Sequence, residues 1–88
     1  MSEIERIGIT KSQYRALNAI RGLDPSVHYM VIAAKQAPSG YVLEGTSETF
    51  DHLVRDLSDE ILYELAPRSR LKHLRSLMTR VAPDTDLW

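Results

Sequence analysis

The first quarter of the chain changes from a β-branched run to a helical pattern. Three isoleucines within the first nine residues predict a strand over residues 3–9. Thr10 and Gln13 then have the spacing of a capping box, and apolar positions recur at helical spacing behind them. This pattern predicts a helix over residues 11–21, which ends before Gly22 because glycine suits the left-handed position after a helix.

The middle of the chain is rich in apolar residues and predicts a β-hairpin. Residues 28–36 and 41–45 have the composition of two strands. Residues 37–40 form a proline-led turn with glycine at its end, which is typical of a tight connection between strands.

The first strand of this hairpin is apolar at both alternating sets of positions, which indicates that both faces are covered. Helices packed on one face would leave Tyr29, Val31 and Val42 on the other face. We expect these residues to form an exposed patch or a subunit interface. The alternative is a central strand that ordinary loops and termini bury.

The second half of the chain predicts two consecutive helices. Residues 47–65 carry an apolar stripe at helical spacing, and Pro67 ends this helix. Ser69 is the expected cap of a final helix, which stops before Pro83. Because the linker is short, the two helices should fold back on each other.

Together these elements predict an α+β domain over residues 1–83 with the order βαββαα. We expect a small, mainly antiparallel three-stranded sheet with helices on one face, the last two helices forming an antiparallel hairpin. Residues 84–88 are expected to form a short C-terminal tail. The predicted core is Ile7, Tyr14, Leu17, Ile20, Met30, Ile32, Leu43, Phe50, Val54, Leu57, Ile61, Leu74, Leu77 and Val81.

Charge divides sharply between the two predicted C-terminal helices, although the whole chain has a net charge of −1. Residues 47–66 contain six acids and one base, whereas residues 67–82 contain five bases and no acid. One hypothesis is that the two helices neutralise each other within one chain, which sets their register more than their stability. A second hypothesis is that they meet between two chains and orient a homodimer.

A third hypothesis is that the basic helix binds a phosphate backbone. The acidic neighbouring helix, the pI of about 6.3 and the lack of a known nucleic-acid-binding signature weigh against it. We therefore treat nucleic acid as a possible but not favoured partner. The candidate cations are Arg68, Arg70, Lys72, Arg75 and Arg80, together with Lys11, Arg15 and Arg21 of the first helix.

Catalytic and cofactor chemistry has little support in the sequence. The chain has no cysteine, no nucleophile elbow around a serine, and glycines too scattered for a phosphate-binding loop. His52 and Asp56 share a helix face, but no third metal ligand is indicated by spacing. We expect no enzyme activity, no cofactor and no metal site.

The short segment from the hairpin into the next helix resembles part of HicB-type antitoxin domains. Gly40, Tyr41 and Val42 lie in a strand, and the next helix opens with glycine, threonine and glutamate, as in that family. That family also has a longer loop with a proline-glycine element after the second strand, and a further strand after its helix. Both features are missing from this chain, so the resemblance carries over no residue and no activity.

No stretch approaches the roughly 18 apolar residues of a membrane span, and the N-terminal residues do not have the pattern of a signal peptide. We expect a cytoplasmic protein with no membrane partner. The predicted function is a non-catalytic protein-interaction module that self-associates as a homodimer. The alternative is a nucleic-acid-binding or regulatory protein that uses the basic C-terminal helix. The candidate partner-binding residues are Tyr29, Val31, Val42, Arg68, Lys72 and Arg75.

Overall fold

A computed structural model describes residues 3–83, and it contains a three-stranded sheet and four helices in the order βααββαα. The predicted α+β class is confirmed. The expected C-terminal tail at residues 84–88 lies outside the described residues. The elements are β1 (Ile4–Thr10), α1 (Lys11–Asn18), α2 (Pro25–Ile32), β2 (Lys35–Ala37), β3 (Gly40–Thr46), α3 (Ser47–Leu62) and α4 (Arg68–Val81).

The sheet is antiparallel, and β3 lies between β1 and β2. β3 pairs with the whole of β1 and with the three residues of β2, on the other side of a turn at Pro38 and Ser39. Leu43 of β3 is fully buried against the helices. The opposite face carries charged side chains. There the Glu44 carboxylate lies 3.2 Å from both Arg6 Nε and Lys35 Nζ. The helices therefore pack on one face, as predicted.

The capping box at the start of α1 is present as predicted. The backbone N–H of Gln13 donates to Thr10 Oγ1 at 3.0 Å, and the backbone N–H of Thr10 donates to Gln13 Oε1 at 2.9 Å. The helix ends at Asn18, three residues earlier than expected. Gly22 has a φ of 81° and lies in the turn that follows, where the chain needs a left-handed residue.

The structure has one helix more than the predicted order βαββαα, because residues 25–32 form α2 where a loop and the beginning of a strand were predicted. Asp24 caps this helix by accepting a hydrogen bond from Ser26 N at 3.1 Å, and Pro25 occupies the first turn, where its fixed φ is favourable. Hydrogen bonds from the Ser26 hydroxyl and backbone also hold the pKa of Asp24 below its usual value. Only Lys35–Ala37 remains as strand β2.

Because residues 25–32 form a helix, their side chains do not alternate between two faces as the predicted strand would require. Val31 is buried, so the expectation that it shares an exposed face with Tyr29 and Val42 is wrong. Tyr29 is 73% exposed, and Val42 is half-buried. Ile32 was expected in the core but is 63% exposed, because it lies on the outer side of α2.

The buried apolar residues form one cluster between the sheet and the helices. Among the predicted core residues, four are half-buried at the margin of this cluster: Ile7, Tyr14, Val54 and Val81. The buried ones are Leu17, Ile20, Met30, Leu43, Phe50, Leu57, Ile61, Leu74 and Leu77. Ile32 is therefore the one predicted core residue that is exposed.

The last two helices form the predicted hairpin, with differences at their ends. α3 stops at Leu62 rather than residue 65, and its N-cap is Thr46. The N-cap of α4 is Pro67, which makes no side-chain capping bond, so the prediction of Ser69 as the cap is wrong. Ser69 instead lies within the first turn of α4, where its side chain is exposed.

Candidate functional site

The helices α1 and α4 pack against each other, and neither contains Asp or Glu. α4 also packs against α3. Six of the Lys and Arg side chains on α1 and α4 are exposed, and Arg70 is half-buried. We call the whole set the α1–α4 cationic surface: Lys11, Arg15, Arg68, Arg70, Lys72, Arg75 and Arg80.

One buried polar side chain fixes the position of α1 relative to α4. Gln13 is 5% exposed, and its Nε2 donates a hydrogen bond of 2.8 Å to Ser76 Oγ of α4. The same amide group accepts from the backbone of Thr10 through its oxygen. Gln13 therefore satisfies both ends of its amide while it caps one basic helix and contacts the other.

A groove of about 350 Å³ runs between α1 and the N-terminal half of α4. Ala16 of α1 and Ala19, the residue that follows this helix, are its apolar lining residues. Its polar lining residues come from both helices: Ser12, Arg15, Ser69, Arg70 and His73. We call this feature the α1–α4 groove. Two guanidinium groups, an imidazole and two hydroxyls line it, and none of its lining residues is acidic.

The exposed side of α4 carries Arg68, Lys72 and Arg75, the three cations predicted for partner binding. They line a shallow depression of about 310 Å³ together with Leu71 and Glu64. Within residues 3–83, Glu44 is the only carboxylate that forms ion pairs. The described residues therefore show no close ion pair between α3 and α4, and neutralisation within one chain stays a hypothesis.

Three acids of α3 lie around the turn between α1 and α2. Asp56 accepts a hydrogen bond of 2.9 Å from the backbone N–H of Asp24. Asp56, Asp59 and Glu60 also line a small pocket with Arg21. Arg21, which the sequence placed with the cations, therefore lies among carboxylates, although it also shares a pocket with Arg70.

Glu60 of α3 interacts electrostatically with Arg70 of α4. Burial raises the pKa of Glu60, Arg70 opposes this increase, and the neighbouring Asp56 and Asp59 add to it. Glu60 and Arg70 line one shared pocket on the side of Arg70 that faces Ile20. Arg70 thus lines two neighbouring pockets, the α1–α4 groove and the pocket that contains Glu60.

Arg80 has a contact that separates it from the other cations. Its Nε donates a hydrogen bond to the backbone carbonyl of Gly8 in β1. The neighbouring carbonyl of Ile9 lies close to Gly40 of β3, and consecutive carbonyls of a strand point in opposite directions. Arg80 therefore covers part of the outer edge of β1, beside which residues 3–83 place no strand.

The described part of the chain offers no evident metal site. No three His, Asp or Glu side chains between residues 3 and 83 are grouped closely enough to hold a metal ion. His52 and Asp56 are half-buried, and Asp56 contacts the backbone of Asp24. In the same range, no helix is both long and apolar enough to cross a membrane.

Sequence reasoning missed three groove residues: Ser12, Ser69 and His73. Nothing in their local pattern distinguishes them from other surface positions. The available signal was that the first and last helices both lack acids, which becomes informative only when the two are known to be neighbours.

We compared the chain with protein-family models, with curated proteins and with solved structures, and none of the three comparisons found a match.

Proposed function

We propose that this chain is a non-catalytic binding module, and that its α1–α4 cationic surface binds the phosphate backbone of a nucleic acid. The observation that carries the proposal is the placement of seven cations on two packed helices that contain no carboxylate. A cytoplasmic location suits such a partner, and we propose it on that ground.

The net charge of the chain does not oppose this proposal, because phosphate contacts depend on the local charge. Exposed Lys and Arg side chains bind phosphates largely by releasing condensed counterions, so affinity falls steeply as salt rises. If about four of the cations contact phosphates of duplex DNA, affinity should fall roughly 100-fold between 50 and 200 mM salt. Asp56 and Asp59 line a pocket that contains no residue of this surface. Glu60 shares a pocket with Arg70, and Glu64 lies beside Arg68, Lys72 and Arg75, so the surface has carboxylates at its margin.

The first test is fluorescence anisotropy with labelled 20-mer DNA, single-stranded and duplex, at several salt concentrations. We expect the triple variant Arg68→Gln, Lys72→Gln, Arg75→Gln to bind at least tenfold more weakly and to show a shallower salt dependence. Both effects follow from the loss of phosphate contacts.

The matched control is the triple variant Arg6→Gln, Arg21→Gln, Arg55→Gln. It lowers the net charge by the same amount, but its three positions lie outside α1 and α4. Affinity close to that of the wild type is expected for this control. Equal losses in the two triple variants, or no binding by the wild type at 25 mM salt, would refute the proposal.

A second candidate function is self-association, for which a different surface provides support. Tyr29 and Ile32 lie about one turn apart on α2 and are 73% and 63% exposed. Side chains of this size bury substantial apolar area when they meet a partner. The two-sided strand that first suggested a homodimer is absent, so the hypothesis now depends on these two residues.

Light scattering across a range of protein concentrations and salt tests this candidate. A dimer held by apolar contacts should persist at high salt, whereas a dimer held by charges should dissociate. The variant Ile32→Gln should lower the mass to that of a monomer, and Leu62→Gln, at an equally exposed position on α3, should not. A monomer mass at all concentrations would exclude self-association.

A further inference from the structure

The α1–α4 groove concentrates hydrogen-bond donors in a way that the rest of the cationic surface does not. Arg15 and Ser12 come from α1, whereas Arg70, Ser69 and His73 come from α4, so both helices contribute donors. A guanidinium group presents several N–H donors in a planar fork that matches the oxygens of a phosphate. The groove therefore has the donor set of a site for one small anion.

The beginning of α4 adds backbone donors to this set. The first amides of a helix have no acceptor within the helix, and Pro67 provides no side-chain cap here. Ser69 is in this first turn and lines the groove with its side chain. The positive end of the helix dipole lies in the same place, so it reinforces the charges of Arg15 and Arg70.

We infer that the α1–α4 groove binds a phosphomonoester, the group found at the end of a nucleic-acid strand that carries a terminal phosphate. This inference rests on the proposed function for contacts with the rest of the strand. A backbone phosphodiester has one negative charge. A monoester carries about −1.5 to −2 at pH 7 and offers three strong acceptor oxygens.

The difference in charge decides between these two groups. The same cations attract a dianion about twice as strongly as a monoanion at the same distance, because Coulomb energy is proportional to charge. The third oxygen also gives the serine hydroxyls or the Ser69 amide an acceptor while both guanidinium groups remain paired. A terminal phosphate thus uses more of the groove than an internal one.

The test uses three single-stranded DNA 20-mers of one sequence, with a 5′-phosphate, a 3′-phosphate or no terminal phosphate. Anisotropy is measured at pH 7.5 and 100 mM salt, with the label on an internal base. We expect at least one phosphorylated strand to bind about tenfold more tightly than the unphosphorylated strand, the gain typical of one charge-assisted hydrogen bond. The 5′ and 3′ strands show which end is bound.

Two variants locate the effect. Arg15→Gln should abolish the preference for the phosphorylated strand, because Arg15 lines the groove. Lys72→Gln should weaken binding of all three strands by the same factor, because Lys72 lies outside the groove. Thermal unfolding of both variants checks that each is folded. A preference that survives in Arg15→Gln would refute the inference.

The inference and the proposed function fail in different ways. Equal binding of the three strands by the wild type would exclude the phosphomonoester site and leave backbone binding intact. If no strand binds, the proposed function fails, and an NMR titration with inorganic phosphate decides whether the groove is an anion site. Saturable shifts of the Ser69 amide and the Arg15 Nε–H support it, whereas shifts no larger than those in chloride of equal ionic strength refute it.

Discussion

The variant Gly40→Ala is expected to lose about 3 kcal/mol of unfolding free energy, measured by urea denaturation. Gly40 begins β3 and pairs with Thr10 of β1. A Cβ at this position would lie 2.0 Å from the carbonyl oxygen of Ile9. The obstacle is backbone rather than a flexible side chain, so the two strands must move apart, and the cost should reach the upper part of the range of about 1–3 kcal/mol for overpacking.

A glycine on the neighbouring strand provides the control for this prediction. A Cβ at Gly8 would meet only the Arg80 guanidinium, at an ordinary contact distance of 3.8 Å. Gly8→Ala should therefore change the unfolding free energy by about 0.5 kcal/mol or less. Equal stability of Gly40→Ala and Gly8→Ala would show that β1 and β3 do not approach as closely as described.

The variant Leu77→Ala is expected to cost about 2–5 kcal/mol, a large share of the stability of a typical small domain. Leu77 is fully buried on the inner side of α4, which packs against both α1 and α3. Truncation removes buried methyl groups and leaves a cavity that the surrounding helices fill only in part. Urea denaturation measures the loss, and weaker DNA binding near the unfolding midpoint should accompany it.

Leu62→Ala is the matched substitution at an exposed site. Leu62 is 65% exposed at the end of α3, so its truncation should change stability by about 0.5 kcal/mol or less. A loss below about 1 kcal/mol in Leu77→Ala would contradict the position of Leu77 in the core. Similar losses in both variants would contradict the description of Leu77 as buried and Leu62 as exposed.

The sequence predicts correctly those elements whose local residue pattern favours the same secondary structure that the tertiary packing requires. The capping box of Thr10 and Gln13, the turn at Pro38 and the stripe on α4 all specify one structure. The sequence does not predict α2, because three of its eight residues are β-branched and its second half is apolar on all sides, a composition that favours a strand. The signal that indicates a helix is Asp24 followed by Pro25, an N-cap and the first residue of the helix. The same two residues are also typical of a loop, which is how we interpret them from the sequence alone.

The candidate site was predicted in part, and the missing part depends on tertiary structure. Exposure of Arg68, Lys72 and Arg75 follows from the helical pattern of α4 alone. The groove requires α1 and α4 to be neighbours although residues 13 and 76 are far apart in the chain. No periodicity in one helix indicates which other helix it will contact, so Ser12 and His73 had no detectable signal.

Arg80 belongs to two surfaces at once. It is one of the cations of α4, and its guanidinium covers part of the open edge of β1 through the Gly8 carbonyl. An open strand edge is a template on which another chain can pair. If a polyanion recruits Arg80 as proposed, it competes with this contact, and ligand occupancy is then thermodynamically linked to protection of the edge through a single side chain.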